Sequence, residues 1–598
     1  MSRYHFCVPL FCVLLLAGCA QLPGSYGLYQ EQSSPWVIEQ NNTRLQNVST
    51  LIQTGKGSAA KQEADLIKPS ELTPPQLAQY NLLSAQILLS FGEAEQAIKK
   101  LVPTESGQLG INDKIKFFQS QAFAYSLTGN LLEHAKARIG LDAFLTNPNE
   151  RKKNQAIIME TLGLLPDSIA QNQQNLTPGL PEWLSIAKTL ALRNQDPAKF
   201  NASLTSWRAA NPEHPANIYL AGVEKMSEDS GDKPKSIALL LPESGPFLDA
   251  AKAVKAGFLA AHSRDNSDGS KPELHFYDTE KSKPAESYQK AVNEGATLVI
   301  GPLNKESIQN LAGSGTLPVP VLALNHVPDL SKQNLYQFAL SPMDDVSEIT
   351  QKAALDGHKK AVLFVPDNDQ GKRVASYFRE YWQALNGTIL KKQTYDPTKN
   401  DFSSLVKSLT STAKADGQYQ NPAAQAALQD QEVADVVFLS AYTKEGRSIN
   451  LQLNQVGKLP VYALPSIYSG IPDPLSDSPL DGIVFCDTPW LFSGSYSGEL
   501  SMMALSNILN QFPSSYIRLV AMGIDAYHLA SRLATLSTTP YAGATGNLSL
   551  ASGNRIKRSL VCAKFVKGQP EPIGFSHSPS ASDYTGSKPS NVTPSVSQ

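Results

Sequence analysis

The first side chain positioned for covalent chemistry is a thiol, Cys19, which directly follows Leu16, Ala17 and Gly18 at the end of a short apolar run. A second set of candidates is the Ser-x-x-Lys spacing, at Ser58/Lys61, Ser287/Lys290, Ser404/Lys407 and Ser411/Lys414. In acyl-transfer enzymes that serine is a nucleophile supported by Ser-Asp-Asn and Lys-Thr-Gly segments. Neither segment occurs, and serine and lysine fall at this spacing by chance on polar helices. The chain has no Gly-x-Ser-x-Gly elbow, His-Glu-x-x-His helix or Walker phosphate loop. Its 9 histidines are scattered, none at metal-ligand spacing from another. The sequence therefore predicts no catalytic centre, no metal and no cofactor.

The elements around Cys19 give the thiol its meaning. Arg3 and His5 precede an apolar run over residues 6–16, too short to cross a bilayer core as a helix. A basic start, a short apolar middle and small residues at a cleavage point read as an export signal. Leu16-Ala17-Gly18-Cys19 resembles the bacterial lipobox. That resemblance implies cleavage after residue 18, lipidation of Cys19 and acylation of its new amino terminus. Ala20, where an aspartate would retain the protein at the inner membrane, implies sorting to the outer membrane. Residues 1–18 are then a signal peptide. Residues 19–35, with Pro23, Gly24, Gly27 and Pro35, form a flexible tether.

The chain has 598 residues, 41% of them hydrophobic, enough for buried cores and too few for a polytopic membrane protein. A formal net charge of -2 does not suggest a nucleic-acid-binding surface, though it leaves room for local patches. Of 5 cysteines, Cys7 and Cys12 lie in the signal, leaving Cys486 and Cys562 in the mature body, each in a strand-like run. In an oxidising compartment the pair reads either as one disulfide or as two buried thiols.

Residues 36–228 carry helical periodicity. Tyr80, Leu82, Leu83, Ala85, Leu88 and Leu89 form one apolar stripe, Gly92 breaks it, and Ala94, Ala97, Ile98 and Leu101 form the next. The pattern returns around Phe117, Ala122 and Tyr125, with a break at Gly129 and a second stripe from Leu132 to Leu145. A weaker third unit runs from Trp183 through Asp196 and Pro197 to Trp207. This is a stack of helical hairpins resembling tetratricopeptide repeats. Residues 229–235 are a polar linker.

Residues 236–575 alternate short apolar strands with helices, predicting an α/β domain of parallel sheets covered on both faces. Residues 546–567 are expected to close it as a strand pair, after an Ala/Gln-rich insertion at about 410–430. Residues 576–598, rich in serine and proline, are expected to be disordered.

The run Ile237-Ala238-Leu239-Leu240-Leu241-Pro242-Glu243-Ser244-Gly245-Pro246-Phe247, the helix with Val254, Gly257 and Phe258, the turn Leu298-Val299-Ile300-Gly301-Pro302-Leu303 and the segment Gly523-Ile524-Asp525-Ala526-Tyr527 occur in order. Together they resemble the type I periplasmic binding proteins. This implies two lobes, with chain crossings near residues 339–341 and 487–490. In that family, turns after strands line an inter-lobe cleft, and here Ser244, Gly245 and Asn304 occupy such turns. Their plainer roles are a tight turn and a helix cap. The whole arrangement is more specific. With Trp207, Asn211-Pro212-Glu213-His214-Pro215-Ala216 and Asp487-Thr488-Pro489-Trp490, it resembles the LpoA family. That resemblance implies a non-enzymatic outer-membrane lipoprotein that docks onto and activates a bifunctional class A penicillin-binding protein. It also implies that the α/β domain is a docking body rather than a small-molecule receptor. The competing class is a tethered receptor for an amino acid or muropeptide, which has no need of a helical stack in front of it.

Overall fold

In the computed structural model, residues 34–165, 179–193, 197–221, 233–265, 271–410, 434–457, 459–538 and 540–576 are described. Leu16, Ala17, Gly18 and Cys19, the tether, most of the linker and of the 410–430 insertion, and the tail beyond Ser576 lie outside them. Among the described residues, no helix is long and apolar enough to cross a membrane.

The N-terminal region is helical: α1 (Pro35–Gln53), α2 (Gly57–Asp65), α3 (Pro74–Ser90), α4 (Ala94–Leu101), α5 (Ile111–Leu127), α6 (Leu131–Asp142), α7 (Pro148–Gly163), α8 (Leu180–Ala191) and α9 (Pro197–Ala210). Prolines open α1, α3 and α7, where the ring's fixed φ suits a first helical turn. Gly92 and Gly129 both take φ values only glycine adopts freely, +78° and +73°, and reverse the chain between α3 and α4 and between α5 and α6. Ala85, Ala97, Ala122 and Ala135 are fully buried, so the paired helices approach on small side chains. The sequence pattern did not separate α7, which packs between α6 and α8.

The run Ser236–Leu241 (β1) is buried at all six positions, which requires cover on both faces of its sheet. It pairs in parallel with β2 (Glu273–Asp278) and β3 (Leu298–Ile300), and the sheet continues through β4 (Val321–Ala323) and β5 (Leu335–Phe338). The second sheet repeats the design. Here β6 (Lys360–Pro366) lies between β7 (Thr388–Tyr395) and β8 (Val436–Leu439), followed by β9 (Val461–Ala463) and β10 (Val484–Asp487). Each lobe thus carries the doubly wound order 2-1-3-4-5 of its own strands.

The segment expected to close the domain as one strand pair instead divides between the lobes. β11 (Tyr541–Ala542), β12 (Asn547–Ala551) and β13 (Arg555–Ser559) extend the first sheet beside β5, while β14 (Val561–Val566) and β15 (Gln569–Phe575) extend the second beside β10. The chain therefore crosses between lobes three times: after β5, after β10 and at Leu560. The first two crossings fall where the sequence placed them. The third is a single residue between two strands, too short for any change in periodicity to reveal it.

Cys486 and Cys562 are directly opposed in the antiparallel β10/β14 pair and form a disulfide within the second lobe's core. They stand one and two residues from the second and third crossings. The stretch between them, including the helix Ile517–Leu529 and β11 to β13 of the first lobe, is a covalently closed excursion from the second.

Candidate functional site

In a doubly wound sheet the binding crevice lies beyond the carboxyl ends of the strands where the order reverses, here between β1 and β3. The turn after β1 is exposed from Glu243 to Phe247. It leans toward the end of β2: the Glu243 backbone N–H donates to Asp278 at 3.0 Å, and a Cβ on Gly245 would stand 3.6 Å from the Glu280 carboxylate. Burial would raise the pKa of Asp278, but the N–H groups of Glu280 and Glu243 and the Lys281 ammonium outweigh it and hold that carboxyl below its usual range. Asn304 caps the helix Lys305–Gly313, its side-chain oxygen accepting the Ser307 N–H at 2.7 Å. Among the described residues, no hydrogen bond joins Ser244 or Gly245 to Asn304. Asn304 therefore has a structural task, and the Ser244-Gly245 turn stands free at the rim.

The Ser-x-x-Lys candidates do not assemble. Ser287 is buried, while Lys290 is largely exposed and lies 3.9 Å from Glu294. Ser58 with Lys61 and Ser404 with Lys407 lie on exposed helix faces, and Ser411 and Lys414 fall outside the described residues.

The strongest polar constellation sits where the lobes meet. Helix α10 (Leu248–Ser263) lies against α17 (Ile517–Leu529) in the first lobe, with α11 (Pro284–Asn293), α12 (Lys305–Gly313), α13 (Pro342–Leu355), α14 (Asp369–Ala384), α15 (Ser403–Thr410) and α16 (Thr443–Val456) between them in sequence. From the first turn of α13, Asp344 pairs with Arg555 and Asp345 accepts from Arg558 at 2.8 Å. Farther along α13, Glu348 accepts the backbone N–H of Leu560, at the third crossing, at 2.9 Å, and also bonds Ser576. From α17, Arg518 reaches across to β10 and bonds Asp487, whose side chain is 1% exposed. It also donates to the carbonyls of Pro465 and Tyr468 at 3.0 and 2.9 Å. Burial alone would lower the Arg518 pKa, and the Asp487 carboxylate beside it raises it, so this guanidinium stays charged. These bonds tie the crossings to both sheets, whereas a solute receptor's hinge must flex.

Sequence reasoning passed over this network. One signal was available: Arg518 and Asp525 are the only charged residues in the otherwise apolar α17, apart from His528 near its end. Asp525 is fully buried and accepts the N–H groups of Ala544 and Thr545, each at 2.7 Å, so it pins the loop before β12. Burial pushes its carboxyl up to about 6 against those donors.

The helical stack seats on the second lobe at the very turns that break its repeats. Gly92 abuts the Asp356-Gly357 turn after α13, and Gly129 lies against Ile573 of β15. Between these surfaces lies a cavity of about 50 Å³, lined by His134 and Leu131 of α6 and by Lys352 and Phe575 of the lobe. A single apolar cluster runs from Leu131, Ile158 and Trp183 of the stack into Phe258, Phe565 and Val520 of the two lobes.

Comparison with known proteins matches residues 27–568 to the profile described as LppC putative lipoprotein. A relative from Photobacterium profundum, named penicillin-binding protein activator LpoA, is 27% identical over 552 residues, covering 88% of each chain. Its namesake from Pasteurella multocida is 24% identical, over 94% of this chain and 96% of that one. Among solved structures, Haemophilus influenzae LpoA in a monoclinic form covers 90% of this chain and 95% of its own at 22% identity, with a TM-score of 0.47. The Thermotoga maritima leucine-binding protein LivK covers 57% of this chain and 98% of its own at 17% identity, with a TM-score of 0.35.

Proposed function

This chain belongs to the LppC putative lipoprotein family, and on that premise we propose that it is a non-enzymatic outer-membrane lipoprotein that binds and activates a bifunctional class A penicillin-binding protein. The observation that carries the reading is end-to-end alignment with relatives named penicillin-binding protein activator, which takes in the stack as well as the head. The tied lobe junction supports a head that presents a fixed surface rather than one that closes on a solute. Activation then follows from tighter binding to the active conformation of the synthase than to the inactive one, a shift in population limited by that difference in affinity. Cys19 supplies the anchor, and the tether and stack supply reach.

The test is a transpeptidation assay with a class A synthase from the same cell and the soluble body of this protein lacking its lipid. A rise in cross-linking rate that saturates with added protein is expected; an unchanged rate at saturation removes the reading. The exposed Ser244-Gly245 turn at the strand ends favours a second reading, a solute receptor. Calorimetric titration with amino acids and muropeptides separates the two: micromolar binding abolished by filling that turn would support the receptor.

A further inference from the structure

The two sheets end in four edge strands, and three of them are guarded against pairing with another chain. Strand β11 has only two residues. Strand β15 carries Pro570 and Pro572, and the stack lies against it where Gly129 meets Ile573. Strand β7 carries Lys391 and Lys392, and its register with β6 slips by one residue at Leu390. The fourth edge, β2, has none of these devices. Its six residues include no proline or lysine and pair with β1 in unbroken register.

Among the described residues, no strand pairs with the outer side of β2. The N–H groups of Glu273 and Thr279 donate to the carbonyls of Lys235 and Leu241, at 2.9 and 3.2 Å. Bonded residues alternate along a parallel strand, so Leu274 and Phe276 turn their N–H and C=O groups away from β1. Each offers one donor and one acceptor to a chain laid alongside. A pocket of about 290 Å³ between α10 and the ends of β1 and β2 reaches this edge at Phe276, with Leu241 and Leu248 also in its lining. Phe276 is 43% exposed, and the Lys255 ammonium lies 4.3 Å from its ring centroid.

These features specify an occupant. Backbone groups spaced along an open edge complement another extended backbone, and the pocket takes one of its side chains. The charges nearby are matched: Lys255 stands 3.5 Å from Glu243, Lys252 3.6 Å from Asp249 and Lys281 3.6 Å from Asp278. A rim of matched charges favours an uncharged segment over an acidic or basic one. A second copy of β2 fits poorly, because its Leu274 is packed in its own core and its Phe276 lies under its own Lys255. We propose that the open edge of β2 takes up an extended, uncharged segment of the synthase as an added strand, with one apolar side chain in the pocket beside Phe276. The proposal rests on the activation reading and names its contact surface.

The test measures binding of the mature protein to a class A synthase from the same cell, for wild type, Phe276→Pro and Phe276→Lys. Proline at 276 removes an outward N–H and leaves His275 and Tyr277 bonded to β1. Lysine keeps that N–H and places a charge on the edge instead. Each variant should weaken binding about tenfold, the scale of one backbone hydrogen bond. Should proline unsettle the fold, F276K at unchanged melting temperature carries the test. Hydrogen exchange provides an independent readout: the amides of Leu274 and Phe276 should gain protection when the synthase binds. Wild-type affinity in F276K, or no added protection in β2, would overturn the proposal and leave the activation reading standing. A synthase that neither binds nor responds to the wild-type protein would remove both. A dimer in sedimentation that F276K dissolves would assign the edge to a second copy and likewise overturn the proposal.

Discussion

Arg518 and Asp487 are the residues on which the lobe junction most depends, because Asp487 is removed from water and would be stranded without its partner. Arg518→Met leaves the buried Asp487 carboxylate without its cation and frees the carbonyls of Pro465 and Tyr468. The expected loss is about 3–5 kcal/mol, read as a lower urea midpoint. His134 sets a pH dependence of a different kind. Burial first, and the nearby Arg138 charge second, press its pKa down to about 4, while its ring N–H donates to the Ala122 carbonyl at 2.7 Å. The ordinary histidine value is about 6.5, so between these values the unfolded chain takes up a proton that the native state refuses. Stability from this group is complete above pH 6.5 and is lost as the pH falls toward 4, by about 3 kcal/mol in all. His134→Asn keeps a donor for Ala122 and should flatten that part of the profile when denaturation is compared at pH 5 and pH 7. An unchanged pH slope in the variant would move the effect to another buried histidine, such as His528.

Among the elements, the crossing of α10 and α17 shows why part of this fold could be read in advance. Two of the quoted motifs, around Gly257 and Gly523, lie far apart in sequence but face each other in space. A Cβ on Gly257 would stand 1.9 Å from the Val520 carbonyl oxygen, and one on Gly523 would stand 2.0 Å from that of Val254. Glycine is required here for backbone contact, so the motif and the geometry share one cause. Gly523→Ala should force the helices apart and cost about 3 kcal/mol. Gly163→Ala, where an added Cβ meets nothing within 4 Å, should cost nothing in the same denaturation series. Strands buried on both faces were legible for a similar reason: a continuous apolar run is the direct record of double cover. Helix α7 was not, because its first half is polar and charged, with Asn154 and Gln155 buried, and its apolar Ile158, Met159 and Leu162 are confined to the second half. Strand β5 carries no such run, because Gln337 stands between its buried Leu335 and Phe338. The lobe junction was illegible because it joins residues from α13, α17, β10 and β13, and nothing in local sequence links a carboxylate to an arginine about 200 positions away.

At the scale of the whole molecule, the helical stack and the head are joined by a seam rather than a loose joint. Gly92, Gly129 and Leu131 set the stack on the second lobe, and the apolar cluster continues through the contact. An orientation fixed at the stack is therefore passed on to the head. With Cys19 as the proposed anchor, reach then depends on where that residue is held. Ala20→Asp, which the lipobox resemblance implies would retain the protein at the inner membrane, should weaken activation in cells while leaving the purified body's melting temperature and its activity with the synthase unchanged. Wild-type cross-linking in cells carrying that variant would mean that the anchor supplies an address without contributing reach.

Under the proposed function the protein is a mechanical element, fastened at one end to a membrane and bound at the other to a partner, and the disulfide determines how far it can give. Cys486 and Cys562 are 76 positions apart, and the closed excursion between them cannot pay out while the bond holds. If the lobes are pulled open from the chain ends, about 250 Å of contour, at roughly 3.3 Å per residue, stays locked inside the loop. Force spectroscopy under oxidising and reducing conditions should differ by about that extension. The bond thus acts as a stop, keeping the C-terminal portion of the first lobe attached to the second under load.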